Sequence, residues 1–469
     1  MVPAAAGSIA SRTQPRLSAP AASGDRVQGA TNFAAYLVAF VVFVNITRVG
    51  SIYGFMEAMQ IPLVLTGLAG LVMFGQTARW KPADLVSHWI PKLVAVVLLF
   101  AILGIPTALH RGASFTYLTH GYSQSLLGGV LVFGVARTAR GRRLMAQTLV
   151  LSGIVTGILA LLYSRRDRAG RLAGAATYDA NDLALIVVIT LPLLIWWFFD
   201  NKSKLRWVAI LALPMLFSIM MRTSSRGGFL GMVAILGGLL FMGMTGRVRE
   251  ARRIAVTGIL LAALGALALP AAYSERMSTM GEELDNNSPT ARINVWKRGI
   301  GYAFDHPLLG VGIGNFGRAE GILSDYSQSK GGRGVKWSTA HSSYIEAWAT
   351  IGLIGGTAFA LVIVCGTFAL LVWKPPNWLT EPAQRMLTPM VGISLLAFAV
   401  AGAFLSFAFT SPPYYLLGFA TALLLVPRNE TGAGDGTVVP AASQAMPLRP
   451  ALSRYPAPPP RPYRRPLPS

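Results

Sequence analysis

Ala340-His341-Ser342-Ser343-Tyr344 stands where a long polar segment, 273–342, gives way to an apolar helix. An imidazole at that boundary is the candidate chemical centre, and nearby arginines are expected to lower its pKa and keep it neutral, as a general base requires. A buried structural histidine is the alternative reading. Upstream, the same segment carries Arg292, Trp296 and the glycine-rich run Gly310-Val311-Gly312-Ile313-Gly314-Asn315-Phe316. Nearly everything outside it is apolar.

The chain of 469 residues is 53% hydrophobic and 13% charged, with a mean hydropathy of +0.52. Those values exclude an ordinary soluble domain and indicate an all-α polytopic membrane protein. The net charge of +22 does not point to nucleic acid, because the basic residues form short clusters between apolar runs, where membrane orientation places them. The single cysteine, Cys365, lies in an apolar run and leaves no disulfide framework or thiolate metal site. Residues 1–31 read as a disordered cytoplasmic tail, and 428–469 as a Pro-rich, basic, disordered cytoplasmic tail.

A spanning helix needs about 20 apolar residues. About twelve such runs are expected, at 33–47, 58–75, 90–109, 115–136, 144–163, 183–199, 205–221, 227–245, 254–272, 351–373, 386–409 and 414–426. Helices one to nine thus occupy 32–272, one large periplasmic loop occupies 273–342, and helices ten to twelve occupy 343–427. An even number puts both tails on one side. The short loops on that side carry fifteen Lys and Arg against eight in the opposite short loops. The positive-inside rule then sets the tails in the cytoplasm and the long loop outside.

Six of those eight outer arginines fall in two loops, one holding Arg165, Arg166, Arg168 and Arg171, the other Arg222 and Arg226. Arginine retained against topology points to an anionic ligand such as phosphate, which a guanidinium fork matches. Snorkelling to headgroups is the alternative. Arg226 follows a very short turn and is expected at a helix entrance, where free N–H groups also favour an anion. Near the other arginine loop, Asn181 or Asp182 is expected to cap the next helix, to line the site, or both. Arg292 and Trp296 are four apart and share a face of any helix, as a diphosphate-sugar contact or as a plain surface pair.

Gly312-Ile313-Gly314-Asn315-Phe316-Gly317 matches the dinucleotide fingerprint, but no strand–turn–helix unit surrounds it. It reads as a tight turn in which glycine permits unusual dihedrals and close packing. His306-Pro307 reads as a turn, and His88, His110 and His120 as interface residues. The chain has no D-x-D, H-E-x-x-H, G-x-x-x-x-G-K-[ST] or G-x-S-x-G motif. Metal-independent chemistry is therefore expected, with no cofactor and with arginine in place of a cation.

Asp305-His306-Pro307-Leu308-Leu309-Gly310-Val311-Gly312-Ile313-Gly314-Asn315-Phe316, then Ala340-His341-Ser342-Ser343-Tyr344 and Ile351-Gly352-Leu353-Ile354-Gly355, resemble the O-antigen ligase-related superfamily. That group comprises lipopolysaccharide O-antigen ligases, O-antigen polymerases and bacterial protein O-oligosaccharyltransferases. Asn181-Asp182-Leu183-Ala184 and Ser225-Arg226-Gly227-Gly228 are weaker matches in the expected order. The resemblance implies a GT-C-like bundle of about twelve helices in a bacterial inner membrane. It also implies transfer of a glycan from a polyprenyl (undecaprenyl) diphosphate carrier to an acceptor hydroxyl, on lipid A core, a glycan or a protein. By motif, the family's catalytic histidine falls on His341 and its diphosphate-binding arginines on Arg226 and Arg292. Arg222, Asn181, Trp296 and Tyr344 complete the expected binding set. Many relatives carry Asn directly after the histidine, where this chain has Ser342.

A sugar diphosphate leaves readily once its charge is neutralised, so one base and fixed arginines are enough for an inverting displacement. Ligase, polymerase and protein transferase differ in acceptor and are not separated by these residues. A polysaccharide exporter or flippase would place charges near the membrane midplane, whereas here the candidate residues gather at one face.

Overall fold

The computed structural model describes residues 30–52, 54–163, 170–174, 178–200, 204–246, 292–329 and 338–426, with single positions at 248, 253, 255 and 256. The expected ninth span (254–272), both tails, Arg165, Arg166 and Arg168 lie almost wholly or entirely outside the described residues. Among the described residues every element is helical. The principal helices are α1 (Asn32–Thr47), α2 (Ile61–Phe74), α3 (Trp89–Leu103), α4 (Ser123–Val135), α5 (Ala139–Tyr163), α6 (Ala180–Phe199), α7 (Val208–Thr223), α8 (Arg226–Met244), α9 (Arg292–Asp305), α10 (Phe316–Ile322), α11 (Ser343–Val372), α12 (Pro382–Ala401) and α13 (Ser411–Leu424).

Among the described residues, five segments are long and apolar enough to cross a membrane: α5, α6, α8, α11 and α12 with the following turn to Phe404. α1, α2, α3 and α7 are shorter apolar helices. The expected run 115–136 is continuous helix from Arg111 through a π-helical stretch, Tyr117–Tyr122, into α4. The chain is an all-α membrane protein. Where α13 crosses α4 the backbones touch, and a Cβ on Gly418 would lie 2.0 Å from the Gly129 carbonyl oxygen. Small residues at such a crossing let helices approach closely without a hydrophobic driving force from water.

At one end of the bundle, arginines that the sequence assigns to orientation have internal partners. Arg142 is fully buried, and its Nε donates to Gln384 Oε1 at 2.8 Å. Arg143 pairs with Asp200 at 2.7 Å and also with Glu381. Arg137 pairs with Asp84 at 2.5 Å and donates to the Leu425 carbonyl at 2.9 Å. These contacts tie α5 and the turn before it to the ends of α6, α12 and α13.

α11 is broken at Ile351 (φ −126°, ψ 16°) and Gly352 (φ 75°, ψ 175°). A break in a spanning helix strands main-chain groups that hydrocarbon cannot satisfy. Here the glycine-rich loop supplies the partners. Val311 N–H donates to Ala349 O at 2.8 Å, Gly312 N–H to Thr350 O at 3.0 Å, and Leu353 N–H to Pro307 O at 2.8 Å. Gly310, Gly312 and Gly314 have φ of +66°, +95° and +75°, so the fingerprint-like run is the turn that the sequence reading expects. The approach is close: a Cβ on Gly352 would lie 2.3 Å from the Leu308 carbonyl oxygen.

Candidate active site

His341 occupies the turn that opens α11, with a left-handed φ of +49°. Ser342 is the helix N-cap, its Oγ accepting from Ile345 N–H at 3.4 Å. Ser is a favoured N-cap residue, which suits Ser342 to this position. Three contacts clamp this turn to a second one, 402–407, that follows α12. His341 N–H donates to Ser406 Oγ at 2.9 Å, Ser343 Oγ donates to Leu405 O at 2.7 Å, and Phe407 N–H donates to Ser343 Oγ at 2.9 Å. The half-buried imidazole has the Thr339 hydroxyl 3.3 Å from Nε2.

α9 brings the long-segment residues to the same place. It begins at Arg292, so Arg292 and Trp296 share a face, one turn apart. The Trp296 indole donates to the Ala340 carbonyl at 3.0 Å and packs against Phe404, ring centroids 5.8 Å apart. On the adjoining face, Arg298 forms a two-pronged pair with the buried Glu320 of α10, at 2.9 and 2.5 Å, and Tyr302 donates to the same carboxylate at 2.9 Å. The Glu320 hydrogen bonds hold the Arg298 guanidinium above its ordinary pKa. Burial, then Glu320, push the Tyr302 phenol up.

α7 and α8 are joined by Ser224 and Ser225 alone, Ser224 taking φ +46°. Ser225 caps α8, its Oγ accepting from Gly228 N–H at 3.2 Å. Arg226 is therefore the first helical residue, as expected, and it is buried at 8% exposure. The helix start wedges between two others: a Cβ on Gly227 would lie 3.0 Å from Phe404 Cβ, and one on Gly228 2.7 Å from Ala184 Cβ of α6. Arg222 is exposed, and its carbonyl accepts from Leu172 N–H at 3.0 Å. That bond joins the end of one arginine loop to the other.

The cap expectation at α6 is corrected. Asp179, not Asn181 or Asp182, is the N-cap, accepting from Asn181 N–H at 2.7 Å and Asp182 N–H at 2.8 Å, while Asp182 accepts from Asp179 N–H in return. Asp179 wins because its side chain precedes the first helical residue and can fold back over the free N–H groups. Asn181 is buried on the face leading to Ala184. Just before the cap, the Tyr178 hydroxyl donates to Ile46 O at 2.8 Å, with the Arg48 guanidinium 4.1 Å above its ring. Tyr344 donates to Ala399 O at 2.9 Å and packs on Phe359, which binds α11 to α12.

The structure thus gathers His341, Trp296 and the Arg226 entrance around one turn, with Arg292 a helical turn from Trp296. Arg222 lies at the rim. Phe404 and Ser406 also meet this turn but escape the sequence reading, which takes 386–409 as one span; the isolated Ser406 among apolar residues is the available signal. Among the described residues no group of three or more His, Cys, Asp and Glu is placed to hold a metal ion.

No curated protein matches the chain. Residues 211–360 match the family model described as O-Antigen ligase. That span runs from α7 to beyond the break in α11 and contains the Arg226 entrance, α9, the glycine loop and the His341 turn. Over that span the chain is similar to the O-antigen ligase family.

Proposed function

We propose that this protein is an O-antigen ligase of the bacterial inner membrane, moving a glycan from an undecaprenyl diphosphate carrier to an acceptor hydroxyl at the periplasmic face. The observation that carries this reading is the meeting of three segments distant in sequence on the turn 402–407. They are the His341 turn, the face of α9 with Trp296, and the entrance of α8 with Arg226.

In the proposed reaction Arg226 and Arg292 neutralise the donor diphosphate, helped by the positive end of the α8 dipole. The imidazole of His341 takes the acceptor hydroxyl proton as that oxygen attacks the anomeric carbon. The bond from that carbon to the diphosphate oxygen breaks, its electron pair leaves with the carrier diphosphate, and the configuration inverts. The imidazolium then loses its proton to water. Arginine supplies the charge neutralisation, so the step asks for no metal. Trp296 offers an aromatic face to the sugar, and Asn181 and Arg222 lie along the donor path. Tyr344 acts as a packing residue of that wall.

The test is transfer from a labelled polyprenyl-diphosphate oligosaccharide in proteoliposomes containing chelator, with lipid A core and a second carrier-linked repeat as competing acceptors. Loss of transfer in a folded His341 variant, with lipid A core as the acceptor used by wild type, supports the ligase reading. Use of the carrier-linked repeat would make the protein a polymerase, and carrier translocation without transfer would make it an exporter.

A further inference from the structure

The outward face of α9 is apolar where a loop helix in water would be polar. Val295, Gly299, Tyr302 and Ala303 are buried. On the other side Ile300 and Phe304 are 42% and 67% exposed, and Leu308 in the following turn is 66% exposed. Lys297 continues that face one turn earlier and is also exposed. An apolar stripe flanked by a basic residue is the pattern of a helix lying in a membrane interface.

The height of this face follows from the break in α11. Beyond Gly352 the helix runs regularly from residue 353 to 372, about 30 Å at 1.5 Å per residue, or one hydrocarbon thickness. Lys374 follows at the far end. Leu353 therefore marks the near edge of the hydrocarbon, and its N–H is bonded to Pro307 O. The end of α3 agrees, since a Cβ on Gly104 would lie 3.0 Å from the Leu309 carbonyl oxygen. Trp348, a residue type that favours this level, stands just before the break. The exposed side chains of Leu308 and Phe304 thus continue the outward apolar surface formed by Ile102 and Leu103 of α3 and Ile354 of α11.

We infer that Ile300, Phe304 and Leu308 are immersed in the lipid leaflet on the His341 side, making α9 an interfacial anchor with Lys297 at headgroup height. The occupant is phospholipid. The inference rests on the membrane reading and not on the transfer chemistry, so either can fail alone.

The experiment uses the full-length protein with Cys365→Ala, carrying Leu308→Cys or Phe304→Cys, labelled with an environment-sensitive fluorophore and reconstituted in phosphatidylcholine–phosphatidylglycerol vesicles. Asp325→Cys, at an exposed position of the short helix Asp325–Ser329, is the water-facing control. The expected result is blue-shifted emission, quenching by a nitroxide-labelled lipid, and several-fold weaker quenching by iodide than in the control. Iodide quenching equal to the control overturns the inference. So does protection from both quenchers, which would mean that a second copy or another protein covers the face. If the cysteine variants do not fold, a diazirine-bearing lipid is photolysed with the unmodified protein, and absence of crosslinks within residues 300–308 overturns the inference equally.

Discussion

The indole nitrogen of Trp296 lies 3.0 Å from the carbonyl oxygen of Ala340, the residue immediately before His341. One hydrogen bond thus sets the distance between α9, which carries a proposed donor clamp, and the turn that carries the proposed base. Trp296→Phe keeps an aromatic face against Phe404 but leaves the oxygen without that donor. The expected cost is about 1 kcal/mol, read as a roughly fivefold loss of transfer rate with His341 intact. An unchanged rate would show that the bond does not set the site.

His341 stands at φ +49°, which an L side chain occupies at a cost of about 1–2 kcal/mol. His341→Gly removes the imidazole and relieves that strain, whereas His341→Ala removes it and keeps the strain. Both are expected to abolish transfer, and the Gly variant is expected to melt at or above the wild-type temperature. Transfer surviving in His341→Gly would take the imidazole out of the mechanism without any doubt about folding.

Ser343 is both donor to Leu405 O and acceptor from Phe407 N–H. Ser343→Ala breaks both bonds in a buried place, with an expected loss of about 2 kcal/mol, seen as a lower melting temperature and reduced transfer. Ser406→Ala, which loses only the bond from His341 N–H, is expected to cost less stability while still lowering the rate.

The Arg298–Glu320–Tyr302 cluster fixes α9 to α10. Glu320→Ala is expected to cost about 2–3 kcal/mol by removing the two-pronged Arg298 pair and the Tyr302 hydrogen bond at a buried carboxylate. Tyr302 has its pKa raised, so its contribution is complete below the ordinary tyrosine value near 10 and is lost as pH rises beyond that value toward the folded one. Thermal melts should show extra destabilisation above about pH 10, diminished in Tyr302→Phe. Equal alkaline sensitivity in the two proteins would count against the cluster.

Gly352→Ala places a methyl against the Leu308 carbonyl in a backbone region nearly closed to L residues. The expected penalty exceeds 3 kcal/mol, visible as loss of folded protein after extraction in mild detergent. Gly301→Ala, with open space around its added methyl, serves as the control and should be near neutral.

Helix positions were legible because apolar runs of the right length permit little else in a membrane. Eleven of the expected segments coincide with helical elements among the described residues, as 183–199 does with α6. The positions of Arg226, Arg292 and Trp296 were equally legible, since caps and four-residue spacing are local. What the sequence hides is non-local. The expected span at 351 starts where α11 breaks, because nothing near Ile351 announces that a loop forty residues earlier will complete its hydrogen bonds. The turn 402–407 lies hidden inside the expected span 386–409, because Ser406 finds its partner at His341, far away in the sequence. The cap at Asp179 is not legible in the sequence because two competing side chains, Asn181 and Asp182, follow within three residues, and backbone geometry decides among them.

The break in α11 draws its partners from Pro307, Val311 and Gly312, all of which precede it in the chain. During synthesis those residues leave the ribosome first, and translation order matters for how large chains assemble. The polar groups stranded at residues 349–353 therefore meet a complementary segment that has already been made, instead of waiting in lipid for one still to come. A permuted gene that placed α11 before the glycine loop would encode the same contacts, yet it would deliver an exposed, discontinuous helix to the membrane before anything could pair with it.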